Sequence, residues 1–258
     1  MSEYEESSGY KSKSKRKKKK RRKKRPFLTL FIIALVIAGA VLLLKSALFN
    51  VTAIHVEGNQ YYTPSQVIEL SGIRTGQNLI FGVKSRAAAK KLLESPYVKT
   101  AKVEKVPFGT VIIKLEERVE YAAVESQGRY VIIDEDGTVL RIADEEPKIT
   151  VLEGIALSSA EEGKPLKAEQ SYMLTGTLKI LEETGKIDMY FKKIYFSSAV
   201  VKAYIYDQYY CEGTPDGILA NLSSIKLLAE EHYRQGINKG VIKVGTGGEL
   251  FFDPRIDQ

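Results

Sequence analysis

Residues 27–44 form an apolar run of eighteen residues without a charge, and only Thr29 and Gly39 interrupt its apolar character. Helices of soluble domains keep a polar face, and this run has none, which argues against a buried core helix. A helix of this length would be ~27 Å long, close to the ~30 Å hydrocarbon core of a bilayer. The pattern therefore predicts a transmembrane helix from Phe27 to Leu44, within a membrane segment of residues 26–48.

Residues 49–118 change to short alternating segments and amphipathic stretches, which predict the order β-α-α-β-β. Thr63, Pro64 and Gln66 form a capping signature for the first helix. The predicted elements are a strand in Phe49–Asn59, helices from Thr63 and over Lys84–Tyr97, and strands Val98–Val106 and Val111–Glu117. Gly76–Gly82 joins the helices as a loop with apolar plugs at Leu79, Ile80 and Phe81.

Residues 119–258 are predicted to form a second domain with a mostly antiparallel sheet and two helices. Arg118–Ala123 is interpreted as a connecting segment, and a hairpin with its turn at Asp134–Gly137 follows it. The further elements are a short strand in Ile149–Ile155, helices Glu169–Glu183 and Asp216–Arg234, and strands Asp188–Phe196, Ala199–Asp207, Gln208–Glu212, Gly240–Val244 and Glu249–Phe252. The fold class is therefore α+β.

Charge is distributed very unevenly. Thirteen of the fifteen residues from Lys11 to Arg25 are basic, whereas residues 46–258 carry 25 basic and 29 acidic residues. Because cytoplasmic flanks carry the Lys/Arg excess, we expect a cytoplasmic N-terminus and residues 46–258 outside. A cleaved signal peptide is the alternative, but the run is longer than a typical apolar signal region. Residues 1–25 are expected to be a disordered tail attracted to anionic lipid headgroups, without specific nucleic acid binding.

Candidate catalytic chemistry is sparse. Cys211 is the only cysteine, so no intramolecular disulfide can form, and we expect it to be a buried apolar residue. His55 and His232 lie in no metal-binding or catalytic motif. The glycine-rich Gly245–Gly248 joins two predicted strands and cannot hold phosphate at a helix N-terminus. The sequence therefore predicts no enzyme activity, metal, cofactor or small-molecule substrate, and leaves Tyr204–Tyr210 open as core or binding surface.

The order of basic tail, single span, β-α-α-β-β domain and β-rich domain resembles the FtsQ/DivIB family of bacterial cell-division proteins. FNVTAIHVEGNQYYTPSQVIELSGIRTGQNLI and LLESPYVKTAKVEKVPFGTVIIKLEERVEYA resemble the family's polypeptide-transport-associated (POTRA) domain, and GRYVIIDEDGTVL resembles the opening of its β domain. The family's Asp-Leu-Arg string is missing, and GVIKV stands in its place. The long Lys-rich tail is more like the Gram-positive DivIB branch.

The resemblance implies a non-enzymatic scaffold at the division septum, with partners of the FtsL and FtsB/DivIC type. Four parts are expected: the tail at 1–25, the span at 26–48, a POTRA domain at 49–118, and a β domain at 119–258 whose last strand binds partners. A POTRA-type exported chaperone or secretion component is one alternative. A membrane-anchored enzyme or ligand sensor is another, against which the lack of paired catalytic residues argues.

The expected binding mode is strand addition at a sheet edge. Glu249–Phe252 is the last strand, and an edge presents unpaired N–H and C=O groups that a partner strand can complete. Neighbouring residues point to opposite faces, so one of Phe251 and Phe252 should enter the core and the other should anchor the partner. The predicted partner-binding residues are Val241, Lys243, Glu249, Leu250, Phe251 and Phe252.

Overall fold

The computed structural model of the protein describes residues 26–254, in two compact units, one ending at Lys45 and the other beginning at Ser46. The first unit contains helix α1 (Pro26–Leu44), in which no residue is buried. Within residues 26–254, this is the one helix long and apolar enough to cross a membrane. The predicted span of Phe27 to Leu44 matches α1, and the predicted tail of residues 1–25 lies outside the described residues.

The second unit begins with a short 3-10 turn and a small α/β layer. Its elements are β1 (Ala53–Glu57), α2 (Pro64–Ser71), α3 (Ser85–Leu92), β2 (Val98–Val106) and β3 (Thr110–Glu117). The three strands form a sheet in the order β1-β3-β2, with β1 parallel and β2 antiparallel to β3. The buried core between this sheet and the helices includes Val67, Leu92 and Ile113.

Local signals explain where the two helices begin and end. The predicted capping box is present, because the Thr63 side chain accepts from the Gln66 N–H and the Gln66 side chain accepts from the Thr63 N–H. α3 is shorter than the predicted Lys84–Tyr97, ending at Leu92. Pro96 lacks an N–H group and disfavours a helical conformation at Ser95, so tight turns replace the last helical turn.

A nine-stranded sheet dominates the rest of the second unit. Its elements are β4 (Ala122–Ser126), β5 (Arg129–Ile133), β6 (Val139–Ala143), β7 (Thr150–Glu153), a two-stranded ribbon of β8 (Leu157–Ser159) and β9 (Lys167–Ala168), α4 (Ser171–Lys186), β10 (Lys193–Ser197), β11 (Val200–Tyr206), β12 (Gln208–Gly213), α5 (Pro215–Arg234), β13 (Lys239–Val244) and β14 (Leu250–Asp253). The strand order is β14-β13-β12-β11-β10-β7-β4-β5-β6. Most neighbours are antiparallel, and the parallel pairs are β12–β13, β10–β7 and β7–β4. The predicted α+β class is confirmed.

The apolar sides of α4 and α5 pack with one face of this sheet and form the larger core. Cys211 is fully buried in that core, as predicted, and burial raises the pKa of its thiol to about 12. The tyrosines of Tyr204–Tyr210 are divided between core and surface. Tyr209 and Tyr210 are buried, whereas Tyr206 is exposed. The interpretation of Arg118–Ala123 as a connection was incomplete, since Ala122 and Ala123 begin β4.

Polar contacts join the small sheet to the large one. The buried Asp134 carboxylate accepts from the Arg118 guanidinium at 2.5 Å. Glu120 accepts from the Tyr97 hydroxyl at 2.7 Å and from Arg141 Nε at 2.7 Å. The Arg141 hydrogen bond is the main cause of the lowered pKa of Glu120. Because both sheets lie in the one unit from Ser46, the division into domains at residue 118 stays a prediction.

Candidate partner-binding edge

The two ends of the nine-stranded sheet are built differently. At the β6 end, the Val139 N–H donates to the Lys164 carbonyl at 2.9 Å, and the Gly163 N–H donates to the Val139 carbonyl at 2.8 Å. The passing chain therefore pairs with the first residue of that edge strand. At the other end, β14 pairs with β13 on one side, and no strand within residues 26–254 lies along its outer side. Among the described strands, β14 is therefore an edge strand, as predicted.

The turn between β13 and β14 determines which backbone groups of β14 face outward. The Gly245 N–H donates to the Glu249 carbonyl at 2.9 Å, and the Gly248 N–H donates to the Gly245 carbonyl at 3.1 Å. In an antiparallel ladder, hydrogen-bonded and non-hydrogen-bonded pairs alternate from this point. The Val244–Leu250 pair is therefore non-hydrogen-bonded and the Lys243–Phe251 pair is hydrogen-bonded. The Leu250 and Phe252 backbone groups consequently point away from β13.

The two phenylalanines of β14 point to opposite faces, and the structure identifies the inward one. Phe252 packs against the core, with its ring centroid 4.2 Å from that of His232 and 6.0 Å from that of Tyr209. The Tyr209 hydroxyl and His232 Nδ1 lie 2.7 Å apart in a hydrogen bond. A Cβ atom at Gly240 would lie 2.5 Å from the Phe252 ring, so the glycine makes room for that ring.

Phe251 is the outward residue, and its side chain is 57% exposed. It lies opposite Lys243, which is also exposed and whose Nζ is 3.5 Å from an Asp253 carboxylate oxygen. Glu249 is exposed at the turn. Val241 was also among the predicted partner-binding residues, but it is only 2% exposed. Its side chain can therefore support the edge but cannot contact a partner directly.

A surface of lysine and tyrosine lies on β10, β11 and β12, which β13 separates from the β14 edge, and it was not predicted as a unit. The cross-strand pairs bring Lys202, Tyr204 and Tyr210 onto neighbouring positions of β11 and β12. Lys202 Nζ lies 5.6 Å from the centroid of the Tyr210 ring, and Lys193 Nζ lies 5.4 Å from that of Tyr204, both within cation–π range. We call these four residues the lysine–tyrosine surface.

Metal-binding side chains do not cluster in the part of the chain that the structure describes. Among residues 26–254 there is no group of three or more His, Cys, Asp or Glu side chains that could hold a metal ion. The edge and the lysine–tyrosine surface offer backbone hydrogen bonds and aromatic rings, which suit binding of another chain.

Comparison with known proteins relates the chain to bacterial cell-division proteins. A family model described as "POTRA domain, FtsQ-type" matches residues 49–118. A cell division protein DivIB of Clostridium botulinum is 26% identical over 240 residues, which cover 87% of this chain and 88% of that protein. FtsQ of Corynebacterium glutamicum is 28% identical over 169 residues, covering 59% of this chain and 73% of that protein.

DivIB of Clostridium acetobutylicum is 28% identical over 130 residues, and the match spans about half the length of that relative. The similarity therefore extends through most of the chain in one relative and through part of it in the others. The match over residues 49–118 agrees with the β-α-α-β-β layer that the structure forms there. Residues 49–118 therefore form an FtsQ-type POTRA domain, and the chain is similar to the DivIB and FtsQ cell-division proteins.

Proposed function

We propose that this protein is a non-enzymatic, single-span scaffold of the bacterial divisome. It binds other single-span division proteins of the FtsL and FtsB/DivIC type outside the membrane, during septum formation. The observation that carries the proposal is the β14 edge, whose outer side pairs with no described strand, whereas a passing segment pairs with the start of β6 at the opposite edge. The four parts proposed are the tail at 1–25, the span at 26–48, a POTRA domain at 49–118 and a β domain at 119–258.

The binding step follows from the chemistry of the edge. A partner strand laid along β14 completes the outward N–H and C=O groups of Leu250 and Phe252, which supplies affinity without requiring a particular partner sequence. Phe251 then supplies specificity, because an exposed ring beside a strand edge can fill a pocket of the partner.

The proposed orientation places residues 1–25 in the cytoplasm, with the tail near anionic lipid headgroups. It rests on the basic flank that precedes α1, since residues 1–25 carry thirteen basic residues. A reporter enzyme that works only outside the cytoplasm should therefore be active when fused after Gln258. A reporter that works only in the cytoplasm should be inactive at the same position, and the reverse pattern would overturn the orientation.

Phe251→Ala should weaken partner capture and leave the fold intact. An interface aromatic of this kind is worth about 2 kcal/mol or more, or roughly 30-fold in affinity. Its exposure keeps the expected change in unfolding free energy within about 0.5 kcal/mol. Titration of the full chain in detergent with the purified coiled-coil partner measures the first quantity, and chemical denaturation measures the second.

Tyr190→Ala provides a matched control, because Tyr190 is 56% exposed and lies between α4 and β10, outside the edge strand. We expect unchanged partner affinity for this variant. Equal losses for Phe251→Ala and Tyr190→Ala, or no loss for either, would show that β14 is not where the partner binds.

A further inference from the structure

Four large apolar side chains are exposed at one end of the small sheet, which is unusual for a domain whose other apolar residues are mostly in its core. Leu48 is 73% exposed, Phe81 is 49% exposed, and Phe108 is 91% exposed; Ile80 is exposed beside Phe81. We call Leu48, Ile80, Phe81 and Phe108 the apolar tip. An exposed apolar group of this kind marks a contact with a protein or with a membrane.

Backbone contacts hold the three segments of the apolar tip together. The Leu79 N–H donates to the Phe49 carbonyl at 2.7 Å, and the Thr52 N–H donates to the Gly109 carbonyl at 2.7 Å. Lys105 Nζ donates to the Ile80 carbonyl at 3.3 Å. The 3-10 turn after α1, the loop before α3 and the turn between β2 and β3 therefore meet at one end of the small sheet.

Local geometry presents these side chains to the outside. Asn78 Oδ1 accepts from the N–H groups of Ile80 at 3.1 Å and Phe81 at 2.9 Å, which fixes the loop as a tight turn. Leu79 alone enters the core, so the prediction that Ile80 and Phe81 are buried plugs was wrong. Phe108 has φ +68°, in the left-handed region where glycine or asparagine is less strained.

The charged residues in the three segments that carry the apolar tip are all basic. Residues 45–56, 72–93 and 105–111, which include its three segments, contain no Asp or Glu. They carry Lys45, Arg74, Lys84, Arg86, Lys90, Lys91 and Lys105. The unit as a whole has more acidic than basic residues, so this local excess is a feature of the tip end. A surface with anionic groups beside an apolar layer would complement both the basic residues and the exposed apolar side chains at this end.

Chain connectivity selects the membrane as that surface. α1 ends at Leu44, and Leu48 of the apolar tip follows only four residues later. Four extended residues span at most about 14 Å, so Leu48 stays within that distance of the end of α1. If α1 spans the bilayer, the apolar tip is therefore held close to the lipid headgroups.

We infer that the apolar tip inserts into the headgroup–acyl boundary of an anionic membrane, with Lys84 and Lys105 against the lipid headgroups. Insertion of about 5–10 Å is typical of such interfacial contacts. The inference rests on the proposed membrane anchoring by α1. It adds a second, peripheral membrane contact that fixes the small sheet against the bilayer.

Tryptophan scanning tests the inference, because the chain contains no natural tryptophan. The full chain is reconstituted in phosphatidylglycerol–phosphatidylcholine vesicles with brominated acyl chains, which quench only tryptophans that reach the acyl region. Phe108→Trp should be quenched and blue-shifted. Leu35→Trp reports on the anchor itself and should be quenched, and Tyr190→Trp reports on the far part of the unit and should not.

Each outcome has one meaning. Quenching of Leu35→Trp without quenching of Phe108→Trp overturns the inference and leaves the anchor intact. Absence of quenching at Leu35→Trp overturns both. Equal quenching of Phe108→Trp and Tyr190→Trp shows that the whole unit lies on the membrane without selection, and also overturns the inference. A blue shift of Phe108→Trp that needs an added partner protein, without quenching, makes the tip a protein-binding surface instead.

Charge variants separate lipid attraction from simple apolar contact. Lys84→Gln or Lys105→Gln in the Phe108→Trp background should lower the ratio of inserted to free tip by roughly fivefold each. Vesicles of phosphatidylcholine alone should lower it more, and high salt should act in the same direction. Lys179→Gln, on α4, is the control and should have no effect. Insensitivity of the inserted fraction to all of these charge changes would overturn the role of the lysines.

Discussion

Leu250→Pro should abolish capture of the coiled-coil partner and leave the unit from Ser46 folded. The Leu250 N–H points away from β13, so the substitution removes a donor that only a partner strand would use. The proline ring also blocks close approach along the edge. We expect an affinity loss of ~100-fold or more. Because the half-buried Leu250 side chain also packs against the core, the expected fall in melting temperature is about 4–8 °C, which corresponds to about 2 kcal/mol for a unit of this size.

Phe251→Pro is the matched variant, one residue along the same strand. Its N–H belongs to the hydrogen-bonded Lys243–Phe251 pair, so this proline should break the β13–β14 ladder and lower stability as well as capture. Pull-down of the partner beside a thermal melt separates the two cases. A folded Leu250→Pro protein that still binds fully would place the interface elsewhere, either on the lysine–tyrosine surface or on residues 49–118.

The order and type of the main elements could be predicted from the sequence because local signals determined them. The capping residues at Thr63 and Gln66 placed the start of α2, and regular alternation gave β2 and β3. β4 was missed because its first residues are Ala122 and Ala123, which have little preference for a strand. Their burial comes from neighbouring strands β5 and β7, which a local pattern does not contain.

The candidate site was predictable in outline but not in orientation. Chain order indicated that the last strand would be an edge, whereas the inward position of Phe252 depends on the register fixed by Gly245 and Gly248. The small Gly240 then leaves space for the ring. The lysine–tyrosine surface could not be predicted, since it is assembled from β10, β11 and β12, whose alignment is a tertiary property.

The joint between the two sheets matters to the proposed scaffold because it links the small sheet, which follows α1 in the chain, to the sheet that carries the β14 edge. Arg118 follows β3, and Asp134 follows β5, so their ion pair connects the two sheets directly. The Glu120 contacts with Tyr97 and Arg141 make a second link nearby. Such links favour a fixed placement of one sheet on the other.

Of all substitutions of polar residues in this joint, Asp134→Ala should therefore lower the stability of the protein most. The carboxylate is 2% exposed and accepts from Arg118 at 2.5 Å, from the Thr138 N–H at 2.7 Å and from the Asp136 N–H at 3.1 Å. Its removal leaves two turn N–H groups without their acceptor, and it leaves the guanidinium with only the weaker contact to Asp136 at 3.6 Å. We expect the free energy of unfolding to fall by about 3–5 kcal/mol.

Asp134→Asn and Asp144→Ala divide this effect into its parts. The amide oxygen of Asn can still accept from the turn N–H groups, so only the ion pair is lost and about half of the destabilisation should remain. Asp144 pairs with Arg129 at 3.1 Å but is 87% exposed, and its removal should change stability by less than about 0.5 kcal/mol. Denaturant unfolding of the full chain in detergent measures all three variants. A loss below about 1 kcal/mol for Asp134→Ala would mean that water replaces the carboxylate at little cost, and the ion pair would then not hold the two sheets together.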